Sequence, residues 1–371
     1  MSSLLDGIRA YAAEIGLDAV GVTTPEPFDR FLSELKLREE AYRGRYAYRL
    51  DTWRRMADPR QVLPAARAVL VIGFHYLPPE RPQPPACGKV GRIVAYGHLG
   101  ILKRARLMAG FLRRQGYKAV MGAHRKEAAV RAGLGMVGKH NLVIHPEFGS
   151  WVAYQTLVTD APLEADAPCT RDMCGECRAC LDACPTGALY EPRRVDPRRC
   201  VTCLLTSREV PPDQRSALGS YILGCDACQE ACPKNRAVKP KPEVESLLPE
   251  VIGMYPPLRL LLEMDERDFQ RTVIGPMQRK MTGDGLLARL GTVPAVRAAM
   301  TWCVKKFLRG REMLPETFVH ASGNLNVYKR NALVAAGNLR CSELRDAVAR
   351  CRADESLRAY AEWATDLMAS P

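Results

Sequence analysis

Apolar residues recur at helical spacing from the start of the chain. Leu4, Leu5, Ile8, Tyr11, Ala12 and Ile15 share one face, and Gly16 is placed to end that helix. Ala19-Val20-Gly21-Val22 then reads as a short buried strand, followed by a charged helix near residues 30–43. The uninterrupted apolar run Ala68 to Phe74 is the best strand candidate of the first half. Residues 77–88 carry five prolines and must be loop. A basic amphipathic helix is predicted from Ile101 to Gln115, with Lys103, Arg104, Arg106, Arg113 and Arg114 reading as a solvated face. Lys126 to His145 reads as a short helix, a turn punctuated by Gly133, Gly135 and Gly138, and an apolar strand; Trp151 to Val158 is a further strand. Alternating helices and strands favour an α/β sandwich here.

Beyond a proline- and lysine-containing linker, Ala237 to Glu243, the pattern is helical with short breaks. Val327–Asn338, Cys341–Ala349 and Ser356–Met368 suggest stacked antiparallel helices of a HEAT-like pair. Cys303, Cys341 and Cys351 fall on these helices without ligand spacing and read as buried structural thiols. A length of 371 residues implies two or three domains. No stretch approaches the ~20 apolar residues of a membrane helix, and the first residues lack the plan of a secretory signal, so a soluble cytoplasmic protein without a membrane partner is expected. The 54 Lys and Arg against 41 Asp and Glu give +13, a balance that favours a polyanionic partner such as nucleic acid.

The cysteines change the picture most. Nine of the fourteen lie in residues 174–232, and eight of these fall in two related runs. Cys174, Cys177, Cys180 and Cys184 are spaced C-x2-C-x2-C-x3-C before Pro185; Cys200, then Cys225, Cys228 and Cys232 before Pro233, repeat the plan with an insertion. This is the bacterial two-cluster ferredoxin run, in which the fourth cysteine of each copy serves the other cluster. It assigns Cys174, Cys177, Cys180 and Cys232 to one [4Fe-4S] cluster, and Cys184, Cys200, Cys225 and Cys228 to the second. Two four-cysteine zinc sites are the plainer alternative, disfavoured by the crossed plan and the Cys-Pro endings. Disulfides are disfavoured because nothing marks the chain as secreted. Cys169 and Cys203 lie nearby and read as spare thiols. Two clusters in a larger protein imply a conduit for single electrons.

Four further stretches carry a resemblance: Ala132-Gly133-Leu134-Gly135 through Gly138-Lys139, Val158 to Leu163, Gly224-Cys225-Asp226 through Pro233, and Lys329 to Asn338. With the paired cysteines they resemble the epoxyqueuosine reductases over most of the chain, and reductive dehalogenases in the core. The resemblance implies an α+β multidomain fold: an α/β cobalamin-binding domain over 1–165, a two-[4Fe-4S] ferredoxin-like domain over 166–240, and a helical HEAT-like domain over 241–371. It implies cobalamin held against Gly133, Leu134, Gly135, Gly138, Lys139 and Asn141, the glycines admitting the corrin and Lys139 and Asn141 meeting its polar rim. The clusters would reduce its cobalt, which would open the epoxide of a tRNA nucleoside while a protein acid protonates the departing oxygen. A soluble donor such as flavodoxin or ferredoxin, a tRNA substrate held through salt-dependent phosphate contacts and a monomeric enzyme are expected.

The sequence departs from the family at one place. The aspartate proton donor that precedes Ala132 by a dozen or so residues has no counterpart in Ala119 to Arg125, and the Tyr96 to Gly100 stretch is also altered. His124 is the nearest replacement acid, its ordinary pKa being close to working pH; its plainer reading is a helix-start histidine beside Arg125. His98 and His140 are further candidates. The departure keeps two other readings open: a cobalamin reductase of a small molecule, as in the dehalogenases, and a non-catalytic corrinoid or electron carrier.

Overall fold

A computed structural model describes residues 3–244, 246, 248–277 and 324–369. Four strands form the central sheet: β1 (Ala19–Thr23), β2 (Ala68–His75), β3 (Ala119–Met121) and β4 (Val152–Thr159), in the order β1-β2-β4-β3. Every pairing is antiparallel, with Gly21 opposite Val71, Ile72 opposite Gln155 and Val120 opposite Val158. All eight residues of β2 and all eight of β4 are buried, because helices cover both faces. On one face Leu70, Ile72 and Phe74 pack against Ile8 and Ala12 of α1 (Leu4–Glu14) and against Ile101, Met108 and Leu112 of α3 (His98–Arg114). On the other, Val69 and Val71 meet Phe28 and Ala128 and Ala129 of α4 (Arg125–Arg131). The sandwich layering is as expected, but the sheet is antiparallel, and the charged helix α2 runs from Asp29 to Met56 rather than ending near 43. Arg104 is not a solvated charge: it donates to the carbonyls of Gly16 and Gly100 and lies 4.0 Å over the Phe74 ring.

The largest core lies elsewhere. It joins Val90 and Val94, the segment from Val201 to Leu223, Leu248 to Met277, and the C-terminal helices α6 (Leu325–Asn338) and α7 (Glu355–Ala369). A cut at residue 240 therefore passes through a shared core. Cys341 and Cys351 are buried in it, as expected; Cys303 and the rest of 278–323 lie outside the described residues. Among the described residues no helix is long and apolar enough to cross a membrane.

Polar side chains of α6 bolt this core to the cysteine segment. Arg330, 3% exposed, donates to the carbonyls of Ser207 (2.7 Å), Arg208 (3.1 Å) and Leu205 (2.9 Å), at the end of α5 (Val201–Leu205), which follows Cys200 directly. Asn331 donates to the carbonyls of Leu205 (2.9 Å) and Ile222 (2.8 Å), tying α5 to the strand that leads to Cys225. Burial lowers the Arg330 pKa to about 10, and these carbonyls oppose that by stabilising the cation. Replacing Arg330 with Met leaves several buried acceptors unsatisfied and is expected to cost about 3 kcal/mol or more. Urea unfolding followed by iron analysis of the surviving protein checks this: the loss should fall on the cluster served by Cys200 and Cys225.

Candidate cluster centre and adjoining cavity

Cys174 and Cys177 sit on the loop entering the one-turn helix Ala179–Asp182, Cys180 lies within that helix, and Cys232 precedes the turn Pro233–Asn235. The four line a single cavity of about 180 Å³, walled in part by Lys139 and His140. Burial, then the neighbouring thiols, push Cys180 up to about 11; iron coordination would remove its proton outright. Among the described residues no three His, Cys, Asp or Glu side chains close on a single ion. His140 supplies a second test of fit. Its Nδ1 accepts from the Leu142 amide at 3.1 Å, so its proton lies on Nε2, which is buried without a hydrogen-bond partner. A buried donor left unpaired costs about 1–3 kcal/mol. A cluster sulfur in the adjacent cavity would supply the acceptor, and the residues present fit the group.

The second set is less closed. Charge coupling links Cys225 to Cys184, and Cys228 to Cys225, Cys180 and Cys184; burial is the larger cause of the raised pKa of both Cys225 and Cys228. Cys200 instead shares a hydrogen bond with Cys203, which raises its pKa first, ahead of burial. The structure thus brings three of the four expected thiols together and sets Cys203 beside the fourth. Cys169 lies elsewhere, its amide on the Val130 carbonyl.

Residues between the cysteines anchor the segment to the sheet domain. Asp226, wholly buried, accepts from the Arg92 amide through both oxygens (3.2 and 3.0 Å) and from its guanidinium (3.0 Å). Burial outweighs Arg92 and leaves its pKa raised. Gln229 donates to Tyr76 Oη (3.1 Å) and to the Ser150 carbonyl (2.8 Å), and Asn235 donates to Ser150 Oγ (2.9 Å).

The glycines of the Ala132 to Asn141 segment, expected to admit a corrin, make close packing contacts within the chain. Gly133 and Gly135 have φ of +73° and +144°; a Cβ on the first would lie 2.6 Å from the Ala167 carbonyl oxygen, and one on the second would strike that of Ile144. A Cβ on Gly138 would meet Ile144 at 2.6 Å. Leu134 is buried in the sheet core, and its carbonyl accepts from Tyr154 Oη. Lys139 and Asn141 are different. Lys139 Nζ reaches the Gly175 carbonyl at 2.5 Å, on the cysteine loop. Asn141 faces the other way, into a cavity of about 620 Å³.

This larger cavity is enclosed by α2 (Arg30, Glu34, Trp53), the start of α4 (His124, Lys126, Glu127) and the hairpin residues Glu191 to Arg194. The Lys139–Asn141 turn thus walls the thiol cavity on one side and the large cavity on the other. Arg193 fixes the turn, its amide on the Lys139 carbonyl (2.8 Å) and its Nε on that of Val137 (3.0 Å). His124, the expected replacement acid, reaches the cavity and is engaged as a helix cap. Its Nδ1 accepts from the Glu127 amide at 3.4 Å as the helix N-cap, and its ring stacks on Phe31 at 3.7 Å. Burial, then Lys126 and Arg125, hold it well below the usual histidine range; burial likewise lowers His98 and His140 to about 4. Sequence reasoning missed Lys126, whose Nζ donates to Asn141 Oδ1 (2.8 Å) and to its carbonyl (3.2 Å). A signal existed, since a cation in the first turn of a helix opposes the macrodipole.

Residues 173–235 match the 4Fe-4S double cluster binding domain family. An epoxyqueuosine reductase of Synechococcus sp. (strain CC9605) is 34% identical over 304 residues, covering 76% of this chain and 89% of the relative. A crystal structure of epoxyqueuosine reductase with an epoxyqueuosine-modified tRNA-Tyr stem loop aligns with 99% of each chain at 25% identity and a TM-score of 0.68. The Bacillus subtilis epoxyqueuosine reductase, in a structure whose catalytic aspartate loop is swung out of the active site, aligns over 98% of this chain and 99% of its own at 25% identity and a TM-score of 0.67.

Proposed function

This chain belongs to the epoxyqueuosine reductase family, and from that premise we propose that it reduces epoxyqueuosine in tRNA to queuosine. In this reaction both carbon–oxygen bonds of the epoxide break, a carbon–carbon double bond forms, and the oxygen leaves as water after taking up two electrons and two protons. The observation that carries the reading is the shared wall: four thiols suited to a [4Fe-4S] cluster lie on one side of the Lys139–Asn141 turn and a ligand-sized cavity on the other.

Cys174, Cys177, Cys180 and Cys232 would hold the cluster beside the cavity; Cys184, Cys200, Cys225 and Cys228 would hold the second, Cys203 being a neighbour of Cys200. Asn141, with the hairpin at Arg193, would hold cobalamin, which supplies, when bound, a reduced cobalt able to open the epoxide. The chain's own work is to keep the electron path short, exclude water and deliver protons. Arg30 and Arg38 on α2 and Arg193 and Arg194 on the hairpin supply positive charge at the cavity for the anticodon-loop backbone. A flavodoxin or ferredoxin would be the electron source, and the protein would act as a monomer. The division at about residues 165 and 240 would mark sequence segments, the last two sharing a core.

The test is anaerobic incubation of protein reconstituted with iron, sulfide and cobalamin with epoxyqueuosine-containing tRNA, followed by nucleoside mass analysis. Conversion to queuosine, weakened by rising salt, is expected. Full cofactor loading without conversion would refute the reading and favour a small-molecule reductase, to which the carboxylate-free stretch from Ala119 to Arg125 points.

A further inference from the structure

We propose that Lys126 is the proton donor to the departing oxygen, taking the place of the carboxylate that this chain lacks between Ala119 and Arg125. The inference rests on the functional reading above and names an acid within it.

The geometry comes first. Lys126 stands at the start of α4 and lines the large cavity, and Asn141, on the turn behind which the thiols gather, accepts from it twice. These two bonds hold Nζ in one position and engage two of the three protons of an ammonium, leaving the third for a ligand. The other groups on the cavity, Glu127 apart, are less suited. A guanidinium is not deprotonated in proteins, which sets aside the four arginines of the cavity. Glu34 is paired with Arg38 at 2.7 Å and Glu191 with Arg194 at 2.9 Å. His124 is engaged as a helix cap.

The electrostatics agree. Burial is the main cause lowering the Lys126 ammonium to about 8; Arg125 on its own helix and Arg38 on α2 act in the same direction, and Glu127 opposes them. His140, behind Asn141, feels the Lys126 charge, and Glu34, Arg30 and the hairpin's Glu191, Arg193 and Arg194 face the same cavity. An acid with a pKa of about 8 is mostly protonated at neutral pH yet gives up its proton readily. Because the acid must be protonated to act, turnover should be constant below this value and fall as pH rises through it.

Substitutions and titration test the inference together. Lys126→Met and Lys126→Gln, each checked for the cluster absorption of the parent protein, should lower kcat by about 100-fold or more with little change in KM, and should lose the alkaline limb of the pH profile. Independently, protein reductively methylated with 13C-formaldehyde should show one lysine signal titrating near 8, absent from Lys126→Arg. No conversion by the parent protein would remove the functional reading and this inference with it. Conversion by the parent with Lys126→Met retaining its rate and pH profile would overturn only the inference. So would a Lys126 signal titrating in the ordinary lysine range, or loss of activity in Glu127→Gln but not in Lys126→Met.

Discussion

Cys232→Ala is expected to abolish epoxide reduction and to lower iron from about eight to about four atoms per chain. The residue lies far along the chain from Cys174, Cys177 and Cys180, yet lines the same cavity. The local alternative would give Cys184 to that cluster, and double substitution decides between them. If Cys174 and Cys232 serve one cluster, the Cys174→Ala/Cys232→Ala protein keeps about four irons, the same as either single variant. If they serve two, it keeps almost none. Iron analysis and low-temperature EPR of the reduced proteins read both outcomes.

Asp226→Ala is expected to destabilise the fold by about 3–5 kcal/mol, the range for removing one partner of a buried ion pair. The loss leaves Arg92, itself largely buried, with Glu230 at 2.7 Å as its carboxylate partner among the described residues. It also frees the backbone of Arg92, which Asp226 accepts from through both oxygens. Since Asp226 lies between Cys225 and Cys228, cluster assembly should fail with the fold. Denaturant unfolding of the reconstituted protein checks the magnitude. An Arg92→Met/Asp226→Leu double variant should recover part of the loss, because an uncompensated buried charge costs more than the pair is worth.

Much of this was legible in the residues. The apolar run Ala68 to Phe74 and the stretch Trp151 to Val158 became β2 and β4 within a residue or two, because strands covered on both faces read as unbroken apolar runs. The same two-sided burial hides strand direction, so the antiparallel order could not be read. Cysteine spacing carried the first thiol set, since three members are local and the fourth follows from the repeat. It could not show Cys203 beside Cys200. The glycines by themselves could not decide their role, because close approach to a carbonyl of the same chain and close approach to a cofactor leave the same trace. Lys126 was missed because its role depends on Asn141, on a different element, and on α2 closing the cavity. The polar residues of Lys329 to Asn338 likewise gained their meaning only when α6 was seen to grip α5.

The central claim is that electrons held by the cysteine clusters reach a substrate in the adjoining cavity. It is tested most directly by a single turnover: protein carrying both clusters and cobalamin is reduced, freed of reductant and mixed anaerobically with epoxyqueuosine-containing tRNA, and queuosine is counted by nucleoside mass analysis. Two [4Fe-4S] clusters store about two electrons, so close to one queuosine per chain is expected, and none from Cys232→Ala. Equal conversion by Cys232→Ala, or none by the fully loaded parent protein, would contradict the account.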